Sequence, residues 1–372
     1  MKKNCLLWLL VAAMAMTSCQ DEFIKNENKT SDKIGYAVET TSMASPKKAR
    51  SAGVQRTKEV NIDMLDETLD GKPLYLHTVS SMEMPMDIKA EKKDTQNPQS
   101  RGSITATGDV QDIGVTSVVW NGTSWAAASD HRVYMDNILT EKPDFQTNYY
   151  WPAAEQYINF FAYSPKAAGA IEASNDKKTL TFDYTVPSTV TAQHDLLVAS
   201  SKEPGNKKAE APLKFCHALT AVQILISGEV QNVEVNEIVF NGIYNKGTYT
   251  YSPASDNGAD EGDWELKGDT TTIGLKGLIV DPSTLAADVN GYKTINYGDN
   301  VFMMMPQPLT NGKLYIKLRN TQTGAIIPLI GDLSGKSWQK GYHVKYVISL
   351  NEVKVGGDIN QWVDGDHIDM EF

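Results

Sequence analysis

The chain has 372 residues, a formal net charge of −11 and only three cysteines. An acidic chain does not steer toward nucleic acid, and no basic stripe with interleaved aromatic residues is present, so we exclude nucleic-acid binding. Cys5 and Cys19 lie in the N-terminal segment, which excludes an internal disulfide, and Cys216, inside an apolar run, is expected to be buried and unreactive.

The N-terminus has the features of a bacterial lipoprotein signal. Two lysines at positions 2 and 3 precede an apolar run of 11 residues, 6–16, which is too short to span a bilayer. The sequence Met-Thr-Ser-Cys at 16–19 then resembles the site where such a signal is removed and the cysteine is lipidated. We therefore predict a signal peptide over residues 1–18 and lipid on Cys19. The alternative is a plain secretory signal with an incidental cysteine.

Residues 19–57 are polar and show no sustained periodicity. They predict a flexible leash between the lipid and the folded part. Gln20, Asp21 and Glu22 resemble the acidic signal that directs some lipoproteins to the outer face of the outer membrane; the alternative is an ordinary solvated tether.

The first predicted strands follow the leash. Val60, Ile62 and Met64 alternate with less apolar residues, and Leu74-Tyr75-Leu76 forms a second strand-like run. Residues 81–104 then turn polar and predict an exposed loop.

From residue 110 onward the pattern is almost entirely that of β-strands. Alternating or β-branched runs predict strands near residues 115–120, 180–186, 222–226, 314–318 and 344–350. Asn-Gly pairs beginning at residues 121, 241, 257, 290 and 311 predict turns. Alternation with one buried face is typical of antiparallel sandwiches, so the predicted class is all-β. The polar stretch Ser200 to Ala211 predicts a linker between two tandem sandwiches, residues 58–205 and 206–372.

Motifs for catalysis or metal binding are absent from the sequence. No Gly-x-Ser-x-Gly or His-Glu-x-x-His motif occurs, and residues 331–337 lack the first glycine of a phosphate-binding loop. The six histidines have no metal-ligand spacing. Two acidic loops do not fit the spacing of a calcium loop; they contain Asp256, Asp260, Glu261 and Asp263, and Asp364, Asp366 and Asp369. We therefore predict no catalytic residue, no metal site and no cofactor.

Several segments, in the same order, resemble motifs of the fimbrillin family of Bacteroidetes, the subunits of type V pili and their tip and anchor components. Residues 151–165 contain Trp-Pro and Ile-Asn-Phe-Phe-Ala-Tyr-Ser-Pro, similar to the family's "WP … FFAYAP". The further matches are Asp195–Ala199, Phe215–Val222, Met305–Gln307, Trp338–Tyr342 and Asn360–Gly365. In the match at Trp338–Tyr342 the tyrosine stands one place earlier than in the family motif. Tyr346 is a second candidate for that tyrosine.

The resemblance implies two transthyretin-like sandwiches and assembly by strand exchange. A protease would cut after an arginine and release an N-terminal strand, and the vacated groove would accept a strand from a neighbouring subunit. By position, Arg101 is the first candidate for the cut, which would release the strands near residues 60–64 and 74–76, and Arg56 and Arg50 are the alternatives. Tip and anchor members need not be cut. Residues 358–372 are the candidate donor strand.

The resemblance therefore implies a non-enzymatic, surface-exposed pilus lipoprotein of the outer membrane, structural or adhesive in role. Its partners would be other pilus subunits, the membrane through the lipid, and a host or glycan ligand. The alternative function is a glycan-binding lipoprotein of a polysaccharide-uptake system. That function needs exposed aromatic faces, for which the candidates are Trp125, Tyr149, Tyr150 and Trp264.

Overall fold

The computed structural model describes residues 32–40, 59–69, 72–81, 110–153, 156–228, 231–253, 260–288 and 291–349. These residues form strands joined by turns and short 3-10 helices. The strands are β1 (Lys33–Thr40), β2 (Glu59–Leu69), β3 (Lys72–Ser81), β4 (Asp112–Trp120), β5 (Arg132–Glu141), β6 (Gln146–Tyr150), β7 (Tyr157–Ser164), β8 (Ile171–Ala173), β9 (Leu180–Thr185), β10 (Leu197–Pro204), β11 (Ala211–His217), β12 (Thr220–Ser227), β13 (Val233–Ile243), β14 (Lys246–Thr250), β15 (Asp263–Lys267), β16 (Thr271–Val280), β17 (Tyr292–Thr294), β18 (Phe302–Met304), β19 (Gln307–Leu309), β20 (Lys313–Asn320), β21 (Ile326–Asp332), β22 (Lys336–Trp338) and β23 (His343–Ser349). The 3-10 helices are Lys166–Ala168, Val190–Ala192, Pro282–Thr284 and Gly298–Asn300.

A seven-stranded sheet organises the first half of the described chain, in the order β5-β4-β7-β10-β11-β1-β6. Its two edge strands, β5 and β6, are consecutive in sequence, so the sheet curls and encloses the side chains of one face. Ile113, Val115, Ile158, Phe160 and Phe215 are among the apolar residues of this enclosed core. Their spacing of two within each strand places them on that one face.

The opposite face of the same sheet packs against a four-stranded sheet in the order β15-β14-β9-β8. Tyr163 of β7 contacts Phe182 of β9 with ring centroids 4.8 Å apart, and Phe161 contacts Tyr251 at 5.7 Å. β14 and β15 come from the second half of the chain. The two halves are therefore interlocked through this sheet.

A second sandwich contains the sheet β17-β12-β23-β3-β2, with β18 also paired to β12, and the sheet β16-β13-β20-β21. Phe240 of β13 lies between them, with its ring 5.1 Å from Phe302 and 6.0 Å from Tyr346. A short ladder of β19 and β22 completes the described sheets. Most pairings are antiparallel, but β1–β11 and β12–β23 are parallel.

The all-β class predicted from the sequence is confirmed, and the predicted strand segments fall in β2, β3, β4, β9, β12, β20 and β23. The predicted turn at Asn241-Gly242 is wrong. These residues lie inside β13 at a β-bulge, where Gly242 has φ +73° and a side-chain carbon would stand 2.4 Å from the Asn311 carbonyl oxygen. Glycine is required there by both conformation and space.

The predicted linker at Ser200–Ala211 is also wrong. Its first residues belong to β10 and its last residue starts β11, and the two strands pair in the same sheet. The chain leaves this sheet after β11, at Ala218 and Leu219. We propose that the division between two sandwich domains lies there rather than at residues 205 and 206, with β14 and β15 returning to the first domain.

The N-terminal part of the chain differs most from expectation. Residues 33–40, predicted as part of a flexible leash, form β1 and lie inside the seven-stranded sheet. β2 and β3, predicted in the first sandwich, lie in the sheet of β12 and β23. Both differences arise because alternation shows that a strand has a buried face but not which sheet covers it.

Candidate functional site

The candidate site is the position that β1 occupies between β11 and β6. β1 runs parallel to β11, with Tyr36 opposite Ala211 and Thr40 opposite Phe215. It runs antiparallel to β6, with Lys33 opposite Tyr150 and Gly35 opposite Gln146. A strand thus fills a slot whose two walls belong to later parts of the chain. We call this position the β1 slot.

Three inward side chains of β1 fill the slot. Ile34, Tyr36 and Val38 are 0%, 3% and 8% exposed, as their spacing of two requires. The Tyr36 ring meets Phe160 edge-on at 5.6 Å, and its hydroxyl lies 3.9 Å from the Met135 sulfur. Burial raises the pKa of Tyr36 above its ordinary value. Burying three such side chains is worth about 1.5–3 kcal/mol each.

Polar contacts hold β1 at its N-terminal end. The Thr147 hydroxyl donates to the Ile34 carbonyl at 3.0 Å, and the Trp151 amide donates to the Asp32 carbonyl at 3.1 Å. Lys208 Nζ lies 3.0 Å from Asp32 Oδ1, between two exposed side chains. These contacts orient the strand, whereas the apolar side chains supply most of the stabilisation.

A second strand of the N-terminal segment, β3, lies in the other sandwich. β3 pairs antiparallel with β23, from Ser81 opposite His343 to Tyr75 opposite Ser349, and its other neighbour is β2. Leu74 and Leu76 are fully buried there. Leu76 lies directly over Gly331, where an added side-chain carbon would be 2.5 Å from it. The segment before residue 82 therefore contributes strands to both sandwiches.

The predicted modification sites lie outside the described residues. These are Cys19, Arg50, Arg56 and Arg101, together with the candidate donor strand at 358–372. The two ends of the connection that carries Arg50 and Arg56 are described, however. They are Thr40, which ends β1, and Glu59, which begins β2.

Cys216 is fully buried, as the sequence predicted. Burial raises the pKa of its thiol to about 12, so little thiolate forms at neutral pH. Beside it, Asp260 accepts hydrogen bonds from the Tyr249 hydroxyl at 2.8 Å and the Gly262 amide at 2.7 Å. Lys340 donates to the Tyr249 hydroxyl at 2.9 Å and to the Gly262 carbonyl. Burial raises the pKa of Asp260 and lowers that of Lys340.

This cluster joins β14 to the connection between β22 and β23, and its groups bind one another, which indicates a structural role. Asp260 thus points inward rather than into an acidic loop open to a cation. The other acidic loop, at residues 364–369, lies outside the described residues. Within the described ranges, no group of three His, Cys, Asp or Glu side chains is placed to hold a metal ion.

The aromatic side chains expected to be exposed for glycan binding are mostly covered. Trp125 donates its indole N–H to the Lys178 carbonyl at 3.1 Å, and Trp264 donates to the Ala218 carbonyl at 2.7 Å. Both are half-buried, as is Tyr149, which packs against Tyr134. Tyr150 is 56% exposed. The four residues do not form one exposed aromatic platform.

β1 was not among the strands predicted from the sequence, although its alternating pattern is present there. Ile34, Tyr36 and Val38 alternate with smaller or polar residues, but the run is short and stands between long polar stretches. Such a run acquires a partner only through contacts with strands more than a hundred residues away.

In the described part of the chain, no helix is long and apolar enough to cross a membrane.

Comparisons with known proteins point to one family. The model of the Fimbrillin-like family matches residues 100–362. No curated protein sequence matches the chain significantly. A candidate cell adhesion protein from Bacteroides ovatus ATCC 8483 aligns at 14% identity over 69% of this chain and 88% of its own, with a TM-score of 0.37.

Two further solved structures are similar at lower scores. A candidate cell adhesion protein from Bacteroides fragilis NCTC 9343 has 13% identity, covers 69% of this chain and 86% of its own, and has a TM-score of 0.33. The fimbrial anchor protein Mfa2 from Porphyromonas gingivalis has 9% identity, coverage of 64% and 79%, and a TM-score of 0.28. TM-scores this low establish no detailed correspondence.

Proposed function

The chain belongs to the fimbrillin-like family, and from that premise we propose that it is a pilus subunit assembled by strand exchange. We further propose that it is exported as a lipoprotein carrying lipid on Cys19. The observation that carries strand exchange is β1, which comes first among the described strands and fills a slot between two later strands.

The physical basis is β-augmentation. Withdrawal of β1 would expose the backbone edges of β11 and β6 and the apolar pockets of Ile34, Tyr36 and Val38. A strand from another subunit with alternating apolar side chains would satisfy both. The candidate donor remains the C-terminal segment 358–372, which follows β23.

The placement of the N-terminal strands favours a cut between β1 and β2, after Arg50 or Arg56. Such a cut separates β1 alone, together with Cys19 and its lipid. A cut after Arg101 would also detach β2 and β3, although these pair with β23 in the other sandwich. The family match begins at residue 100, next to Arg101, so that arginine stays the alternative.

The processing test uses lipid-free precursor, Cys19→Ala without residues 1–18, and an arginine-specific protease. We expect a new N-terminus at Ser51 or Thr57, read by N-terminal sequencing, and oligomers on size exclusion. The double variant Arg50→Ala/Arg56→Ala should stay uncut between β1 and β2 and remain monomeric, and Arg101→Ala is the matched control. Loss of cutting and assembly only in Arg101→Ala would move the site to Arg101. Cutting of the wild-type chain between β1 and β2 without oligomers would argue against strand exchange.

The lipid is tested separately in cells fed a labelled fatty acid. The full-length chain should carry label and sediment with outer membranes, and Cys19→Ala should do neither. An unlabelled wild-type chain would instead support the plain secretory signal.

A glycan-binding function is not proposed, because Trp125 and Trp264 use their indole N–H groups inside the fold.

A further inference from the structure

We propose that β6 is a hinged wall of the β1 slot, ordered only while a strand occupies that slot. The inference rests on the proposed release of β1 and concerns the regulation of the same site. It predicts that an empty slot lacks one of its two walls.

The two walls of the β1 slot, β11 and β6, differ in the number of strands with which they pair. β11 lies between β10 and β1, so it keeps a paired neighbour when β1 leaves. β6 stands at the end of the sheet, and among the described strands it pairs with β1 alone. Release of β1 therefore removes the backbone ladder of β6 entirely.

Four polar contacts of β6 and its flanks also end on the β1 segment. Within β6, Thr147 donates to the Ile34 carbonyl at 3.0 Å, and Lys33 donates to Asn148 at 3.2 Å. Just before β6, the Phe145 carbonyl accepts from the Tyr36 amide at 3.2 Å, and just after it the Trp151 amide donates to Asp32. All four bonds are lost with β1.

Contacts to β5 remain and define the hinge. The Tyr134 hydroxyl donates to the Tyr150 carbonyl at 2.7 Å, and its ring packs 5.8 Å from that of Tyr149. Phe145 and Trp151 are buried at the two ends of β6. The wall would thus stay tethered at its ends while it loses its strand pairing with β1.

The connection between β5 and β6 is suited to move. Phe145 has φ +39°, in the left-handed region, which costs a non-glycine residue about 1–2 kcal/mol. Its carbonyl is bonded to β1, so release of β1 removes a bond that holds this conformation. A surface cavity of about 420 Å³, lined in part by Leu139, Pro143 and Gln146, lies beside the connection and leaves it room.

Occupancy of the β1 slot and the order of β6 are then coupled. With β1 in place the slot is closed on both sides, and without it an incoming strand must order β6 as it binds. Ordering costs about 1–2 kcal/mol per residue in backbone entropy, which the new ladder and pocket contacts must exceed. The Tyr134 hydroxyl is the positioning group that limits this cost, because it keeps β6 beside β5.

Hydrogen exchange measured by mass spectrometry tests the hinge. A site-specific protease sequence is built into residues 41–58 of the lipid-free chain, so that release does not depend on any native arginine. Three states are compared: uncut, cut and stripped of β1, and stripped with a synthetic peptide of residues 32–40. Amides 146–150 should exchange at least tenfold faster in the stripped state and slow again with peptide. Amides of β10 should stay slow throughout and report global unfolding.

Two variants keep the outcome decisive. Tyr134→Phe should speed exchange of β6 further in the stripped state and leave the uncut state unchanged. Thr147→Val in the uncut chain should speed exchange of the β6 amides other than Tyr149, whose own bond to the Thr147 hydroxyl the change also removes. This tests the hinge even where the stripped protein unfolds. Equal protection of β6 in stripped and uncut protein, or unchanged β6 exchange in uncut Thr147→Val, would overturn the proposal. Failure of native arginine cleavage would affect the proposed function but not this result.

Discussion

β1 and β3 both come from the segment before residue 82, yet they join the molecule in different ways. β1 is a single strand whose neighbours, β11 and β6, lie much later in the chain. β3 is one arm of a hairpin, and it keeps β2 as a partner beside β23. The two strands have similar side-chain alternation. A cut between β1 and β2 can nevertheless free β1, whereas β3 stays with its sheet. The difference lies in connectivity, not in burial.

The largest expected effect comes from Tyr36→Ala. Loss of a buried aromatic side chain in a packed slot costs about 3–5 kcal/mol, so the free energy of unfolding of the precursor should fall by that amount in urea. After β1 has been released the variant and wild type should be equally stable. The control, Tyr36→Phe, removes a hydroxyl that lies 3.9 Å from a methionine sulfur and should change stability by less than about 1 kcal/mol. Persistence of the Tyr36→Ala defect after release would contradict a removable strand.

Leu76→Ala should destabilise the protein by about 2–5 kcal/mol, because it empties a buried position over Gly331. Unlike the first variant, it should do so both before and after β1 is released. The measurement is again urea unfolding of the two forms. A defect that disappears after native processing would show that β3 leaves as well, which is the outcome expected of a cut at Arg101.

Acid should weaken the sheet of β3 before it weakens the β1 slot. His343 begins β23 opposite Ser81, contacts Gln223 at 2.9 Å, and burial lowers its pKa from 6.5 to about 3. Stability from its neutral form is complete above pH 6.5 and falls by about 1.4 kcal/mol per pH unit as the pH drops toward 3. His343→Gln should flatten that slope in urea midpoints measured between pH 7 and 4. An unchanged slope would assign acid sensitivity to other groups.

The smallest effect is expected from Lys208→Ala. Its ion pair with Asp32 joins two exposed side chains, so its loss should cost at most about 0.5 kcal/mol. The sensitive readout is the dissociation rate of β1 after cleavage, which should rise slightly at low salt and not at high salt. A salt-independent change would indicate altered packing rather than charge.

How far the sequence predicts this molecule can be judged strand by strand. β9, β12, β20 and β23 were predictable because alternation over five or more residues is a local property, and β4 was predictable from its run of β-branched residues. The family resemblance was readable too, since it rests on short motifs in order, and the family match agrees. The Asn241-Gly242 turn failed because a bulge and a hairpin need the same left-handed glycine.

The order of apolar and polar residues was enough to predict the all-β class, the burial of Cys216 and many of the strands. Three features became visible only in the folded molecule: Ile34, Tyr36 and Val38 fill a slot, β3 borders β23, and β14 returns to pair with β9. The physical reason is that side-chain alternation fixes which face of a strand is buried. The choice of neighbour depends on backbone pairing with residues distant in the chain, as in Tyr36 opposite Ala211.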